Sequence, residues 1–236
     1  MKKTILLARD FAHSCLRKCL RIFTIPFIIV AVYTVSAWVG PEFAFSQKEA
    51  ALEKLKEKAV NFHEAAPGVY RSGLISEEAT PYLKELGIKT VVSFDNNKKR
   101  AGVEEERLKR LGIDLIPIPW SGWDYPSDEV ISKAIELIES PERRPILVHC
   151  KHGQERTGVA IASWRIAKQG WAVREAYQEM KAHGFRSFQY GHLKEYVYDF
   201  ARRQGDGAAK IENKWEQMKT RALSFFYQLR KANPFR

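Results

Sequence analysis

Residues 145–158 run Pro145-Ile146-Leu147-Val148-His149-Cys150-Lys151-His152-Gly153-Gln154-Glu155-Arg156-Thr157-Gly158, and most of the architecture follows from them. A short apolar run opened by proline reads as a buried strand that delivers Cys150 to its carboxyl end. From Thr157 to Lys168, apolar residues at Val159, Ala160, Ala162, Ile166 and Ala167 fit a buried helix that starts near Arg156. The few polar residues between them must form a tight loop, and Gly153 lets that loop curl without steric cost. Loop N–H groups and the positive end of a helix then converge on one point, which makes an anion nest.

The residue types suit that nest. The thiolate is the nucleophilic form of cysteine, and a helix N-terminus beside an arginine favours it. Arg156 supplies a planar fork that holds two phosphoryl oxygens at once, which a lysine does not. Lys151, His152, Gly153, Gln154, Glu155 and Arg156 form the expected phosphate-binding loop. His149 is expected to orient it through its ring nitrogens, and Thr157 to hydrogen-bond the sulfur as it leaves phosphorus. An inert buried thiol is the bland alternative for Cys150, but Gly153 and Arg156 at these offsets argue against it.

The order His-Cys-x-x-Gly-x-x-Arg-Thr-Gly at 149–158 resembles the Cys-x5-Arg signature of the protein tyrosine phosphatase superfamily at every position. Tyr70-Arg71-Ser72-Gly73 and the strand Thr90 to Phe94 extend the resemblance to compact dual-specificity phosphatases. The likeness is strongest to the atypical ones of plants and fungi and their bacterial relatives, over residues 61 to 203. It implies a compact α/β cysteine-phosphatase fold, a phosphocysteine intermediate and no metal or cofactor. A rhodanese-like sulfur-transfer loop also sets a cysteine at a strand end, but the Thr157-Gly158 pair favours the phosphatase.

Phosphatases of this kind need a carboxylic acid on a loop facing the cysteine to protonate the leaving oxygen. Trp120-Ser121-Gly122-Trp123-Asp124-Tyr125-Pro126-Ser127-Asp128 is where that loop is expected, with Asp124 as the acid and Asp128 as the alternative. Ser127 followed by Asp128 and Glu129 also reads as a helix N-cap with acids in the first turn. Arg71 either buttresses the phosphate loop or pairs with a structural carboxylate, the second reading being favoured. Lys151 and His152 point toward the pocket mouth while Glu155 adds negative charge there, a mixed wall that argues against substrates with many phosphates. Residues 96–100, Asn-Asn-Lys-Lys-Arg, read as a solvated basic loop.

Around this core, helix and strand alternate: strand Ile88 to Phe94, helix Val103 to Leu111, strand Ile113 to Ile118, helix Ser127 to Glu139, then helices Ala172 to Ala182 and Tyr190 to Arg202. That alternation indicates an α/β sheet with flanking helices. Tyr82 to Ile88 and Arg107 to Ile113 share one design, a helix closed by glycine and followed by a strand.

The 236 residues exceed one such domain. Ile22 to Val39 carries no charge and follows six basic residues and one acid, so it reads as a transmembrane helix. On that reading, 1–21 is a basic cytoplasmic flank, 22–39 the anchor, 40–60 a helical linker, 61–203 the catalytic domain and 204–236 a basic amphipathic tail. The positive-inside rule then sets the catalytic domain on the non-cytoplasmic side, the periplasm in a bacterium. Cleavage after Ala37 as a signal peptide is the rival reading.

The net charge of +11 comes partly from the flank and is no nucleic-acid footprint; no zinc spacing, dinucleotide loop or RNA-binding motif appears. Three functions fit: a membrane-anchored phosphatase acting on phosphotyrosine and on phosphoserine or phosphothreonine in proteins; the same chemistry on a phospholipid or lipid-linked phosphate; and a non-catalytic phosphate-binding module. Oligomeric state is left open by the sequence.

Overall fold

The computed structural model describes residues 45–205 together with 221, 222, 224–226, 228 and 229. The expected anchor at 22–39 and its basic flank lie outside the described residues. Among those described, no helix is long and apolar enough to cross a membrane.

Five short strands form one sheet: β1 (His63–Ala66), β2 (Val69–Ser72), β3 (Thr90–Ser93), β4 (Asp114–Pro117) and β5 (Ile146–His149). Their order is β1-β2-β5-β3-β4, antiparallel between β1 and β2 and parallel elsewhere. The cysteine-bearing strand β5 is thus central, with the carboxyl ends of β2 and β3 on either side of it.

Helices cover both faces, as a mostly parallel sheet requires. Side chains alternate along each strand: Tyr70, Val91 and Leu147 enter one core, Val69, Val92, Ile146 and Val148 the other. The first core is closed by α1 (residues 45–58), α2 (Thr80–Leu86) and α3 (Lys98–Arg110), through Ala51, Leu55, Leu83, Leu86 and Leu108. The second is closed by α4 (Asp128–Glu139), α5 (Arg156–Gln169), α6 (Val173–Ala182) and α7 (Gly191–Arg203). Every residue of α5 from Thr157 to Ile166 is buried, so this helix is the spine behind the nest.

Local signals explain most boundaries. Helices α2 and α3 end alike: Ile88 N–H returns to Leu83 O and Ile113 N–H to Leu108 O, with Gly87 at φ 87° and Gly112 at φ 71° making the turn. Ser127 caps α4 by accepting from Val130 N–H, as expected. Helix α3 begins five residues before its expected start at Val103, because the Asn97 side chain accepts from Arg100 N–H. The stretch expected as a solvated basic loop is therefore a cap and first helical turn. The helical part of the 40–60 stretch buries Ala51 and Leu55 completely, so it packs into the core.

Candidate active site

The loop between β5 and α5 surrounds the Cys150 sulfur. Cys150 is buried, and Gly153 N–H donates to its Sγ at 3.2 Å. Gly153 takes φ 72°, which only glycine adopts cheaply. A methyl group there would lie 2.5 Å from the Ser72 carbonyl carbon and 2.6 Å from Gly73 N. Tyr70-Arg71-Ser72-Gly73 thus matters because the end of β2 is the bed on which the loop rests. Leu74 N–H adds a bond to Lys151 O, and Arg71 Nη2 one to Gly153 O at 3.0 Å.

A cavity of about 320 Å³ opens over the sulfur, lined by Asn96, Arg100, Ser121, Gly122, Trp123, Cys150, Lys151, His152, Glu155, Arg156 and Tyr190. A larger cavity of about 610 Å³ beside α4, α5 and α7 has no cysteine and no arginine in its wall, so the smaller one is the candidate site. Arg156 Nη1 donates to Trp120 O at 3.1 Å, to Asn96 Oδ1 at 3.4 Å and, closely, to Phe94 O. The guanidinium thereby ties the ends of β3 and of the 118–127 loop to the nest. Its neighbour Asp95 is buried and gripped by Arg100 at 2.7 and 2.9 Å. Burial pushes the Asp95 carboxyl up, but the Arg100 bonds and the nearby Arg156 charge leave it lowered overall.

His149 is fully buried; Nδ1 lies 3.4 Å from Cys150 O and Nε2 3.2 Å from Glu104 Oε1, within ion-pair reach but off the line of a hydrogen bond. Glu104, buried on α3 and also bonded by Ser93 Oγ at 3.4 Å, was not anticipated. Thr157 is buried with its hydroxyl unpartnered among the described residues, so the expected bond to sulfur is not made in this conformation.

Glu155 departs from expectation. It is buried and paired with Arg186 at 2.8 Å, so its charge does not oppose a bound phosphate as an open carboxylate would. Lys151 and His152 line the cavity beside it, His152 lowered by burial and then by Lys151.

The two candidate acids separate. Asp124 is exposed in a turn closed by its own N–H to Ser121 O at 3.2 Å, next to Trp123, which lines the cavity. Its carboxylate is not part of the cavity wall here. Asp128 also lies outside that wall and is held by Tyr196 OH at 3.0 Å and Arg203 at 2.8 Å. Helix α7 and the turn before it anchor the whole loop: Trp123 stacks on Tyr190 at 4.8 Å, His192 Nε2–H donates to Gly122 O at 3.1 Å, and Tyr125 OH donates to Glu195 at 2.8 Å. Burial lowers His192, which favours its neutral ring. Glu195 also accepts from Arg221 at 2.6 Å, so the described part of the tail docks on α7.

A family model described as a DSP-PTPase phosphatase fused to NAD+ kinase matches residues 41–197, about two thirds of the chain. The chain belongs to the dual-specificity branch of the protein tyrosine phosphatase superfamily. The match starts at residue 41, inside the stretch expected as a linker, in keeping with the burial of Ala51 and Leu55 on α1. Among curated relatives of this chain, the dual specificity protein phosphatase TpbA of Pseudomonas aeruginosa is 33% identical over 129 residues, 55% of this chain and 57% of TpbA. The aligned part thus spans little over half of TpbA's length. An inositol diphosphatase of Arabidopsis thaliana is 26% identical over 62% of this chain and 77% of its own. Among solved structures, P. aeruginosa TpbA in complex with pTyr superposes with a TM-score of 0.51 at 28% identity, over 63% of this chain and 92% of that one. The core catalytic domain of PP-IP phosphatase SIW14 from S. cerevisiae gives 0.51 at 24% identity, over 64% and 94%, a likeness of fold.

Proposed function

We propose that this phosphatase-family chain is a membrane-anchored enzyme that hydrolyses phosphotyrosine, with phosphoserine and phosphothreonine as further substrates, through a phosphocysteine intermediate. One observation carries the reading: Cys150, Arg156 and the Trp123–Tyr190 stacked pair line the same cavity, a nucleophile and an oxyanion fork beneath an aromatic wall suited to an aryl phosphate. The complex of TpbA with pTyr supports the same substrate class.

In the proposed cycle, the Cys150 thiolate attacks phosphorus in line with the tyrosyl oxygen. The S–P bond forms as the P–O bond breaks, and Asp124 gives its proton to the departing phenolate. Loop N–H groups and Arg156 hold the equatorial oxygens. Asp124, now a carboxylate, takes a proton from water; the hydroxyl joins phosphorus, and the thiolate departs with release of inorganic phosphate. Asp124 sits on a loop that α7 anchors and Arg156 touches, whereas Asp128 is engaged elsewhere. The anchor at 22–39 and a non-cytoplasmic catalytic domain complete the proposal; alkaline extraction and protease protection of membranes test them.

A second reading has its own observation. Pairing of Glu155 with Arg186 leaves Lys151, with the ring of His152 beside it, to face the cavity next to Arg156, which suits a substrate with more than one phosphate, such as the inositol diphosphates of the Arabidopsis relative. The test is phosphate release by the metal-free, detergent-solubilised full chain from a phosphotyrosine peptide, an inositol diphosphate and phospholipid vesicles in parallel. Preference for the peptide is the expected result. Preference for either other substrate would overturn it, and no release from any of them would leave a phosphate-binding module.

A further inference from the structure

Arg71 sits on β2 with none of its surface exposed. A cation in such a place needs compensation for its lost hydration. Its Nη2 donates to the Gly153 carbonyl at 3.0 Å, while Nε and Nη1 have no partner among the described residues. Glu179 of α6 and Cys150 favour its charge, and Arg165 of α5 opposes it. His63 and His183, a ring pair 4.4 Å apart, are both held toward the neutral form, by burial first and then by the charge of Arg71. Glu179 is already committed to Arg165 at 3.1 and 2.7 Å. Burial lowers Arg71 to about 10, so it stays charged at neutral pH. With Glu179 so engaged, Nε and Nη1 of Arg71 have no bonded counter-charge among the described residues.

The same glycine fixes the shape of the loop. Asn61, at φ 53°, donates through Nδ2 to Gly153 O and to His183 O, each at 3.0 Å. Gly153 N–H faces the other way, onto Cys150 Sγ. One residue is thus held at its carbonyl by a charged and a neutral donor while it offers its N–H to the nucleophile.

We propose that Arg71 is a positioning residue that fixes Gly153 and supplies, from beneath the phosphate loop, a permanent positive charge favouring anions in the nest. The proposal rests on the nest being the phosphate site. It is separable from Arg156, which reaches the nest from the helix side and ties it to Phe94 and Trp120.

The experiment compares alkylation of Cys150 by anionic iodoacetate and neutral iodoacetamide in the full chain. Rates are read on the Cys150 peptide by mass spectrometry, for wild type, Arg71→Gln, Arg71→Lys and Asn61→Ala, each checked by thermal melting. Removing a charge that acts at close range is expected to lower the iodoacetate-to-iodoacetamide ratio about ten-fold in Arg71→Gln. Arg71→Lys should stay within about three-fold of wild type, because it keeps the charge, and Asn61→Ala should keep the ratio, because it removes only a neutral donor. A folded Arg71→Gln chain with the wild-type ratio, or equal loss in Arg71→Lys, would overturn the proposal. If Arg71→Gln does not fold, the salt dependence of the wild-type ratio decides: a buried charge keeps the preference at high salt, and its collapse would assign the field to exposed rim charges. Alkylation needs no turnover, so an anion preference without phosphate release would sink the phosphatase reading and leave this inference standing.

Discussion

Replacing Gly153 with alanine tests how the bed under the loop is built. The new methyl would lie 2.5 Å from Ser72 C, 2.6 Å from Gly73 N and 2.7 Å from Ser72 O, all backbone atoms of β2 and its exit. None of these is a flexible side-chain end, so relief requires the loop or the strand end to move. At φ 72° an alanine pays about 1–2 kcal/mol of backbone strain, and overpacking adds about 1–3 kcal/mol. A sum near 3 kcal/mol lowers Tm by roughly 6–12 °C for a chain of this size. Gly87→Ala is the control: it shares the left-handed φ, 87°, but nothing lies within 4 Å of its added methyl, so only the strain remains. Thermal melting of both variants separates strain from overlap. Shifting the loop also moves Gly153 N–H off Cys150 Sγ, so phosphate release should fall at least ten-fold in Gly153→Ala and stay near wild type in Gly87→Ala. Equal Tm losses in the two variants, or full activity in Gly153→Ala, would refute the packing argument.

Three other outcomes are expected. Asp124→Asn should slow hydrolysis of alkyl phosphates far more than that of an activated aryl ester, measured by steady-state kinetics. Asp128→Asn should leave that leaving-group dependence unchanged and cost about 1 kcal/mol in chemical denaturation, through its exposed pair with Arg203 and its place in the first turn of α4. Glu104→Gln weakens the buried contact to His149 and is expected to cost about 1–3 kcal/mol, with activity falling alongside; a neutral result by urea denaturation would remove Glu104 from the site's support. Burial, then the Arg71 charge, lowers His183 to about 4, below the 6.5 of the unfolded chain. Between those values the unfolded state binds more protons, so this stability is present above about pH 6.5 and is lost as pH falls toward 4. Melting wild type and His183→Gln across that window should show the steeper acid loss in wild type.

What could be read from the sequence was local. The run from Pro145 to Gly158 announces strand, loop and helix because each signal lies beside the next, and the glycine-ended helices before Ile88 and Ile113 are legible for the same reason. Asn97 marks a helix start only through a side-chain bond to Arg100 N–H, which a run of polar residues conceals. β1 is short and half exposed, so it lacks the alternation that marks a strand. The long-range pairs left no periodic trace: Glu104 meets His149 from another element, and Arg186 neutralises Glu155 across the loop before α7. Arg71 did leave one, a charge between Val69 and the end of β2 on the face those strand residues turn to the core, and its full burial explains why the strand carries it.

The central claim is that Cys150 is the nucleophile of a phosphatase. Its most direct test is phosphate release from a phosphotyrosine peptide by the full chain without added metal, beside Cys150→Ser. The account predicts steady release by wild type, with phosphate trapped on Cys150 after acid quench, and none by the serine variant. Persistent release by Cys150→Ser would contradict it.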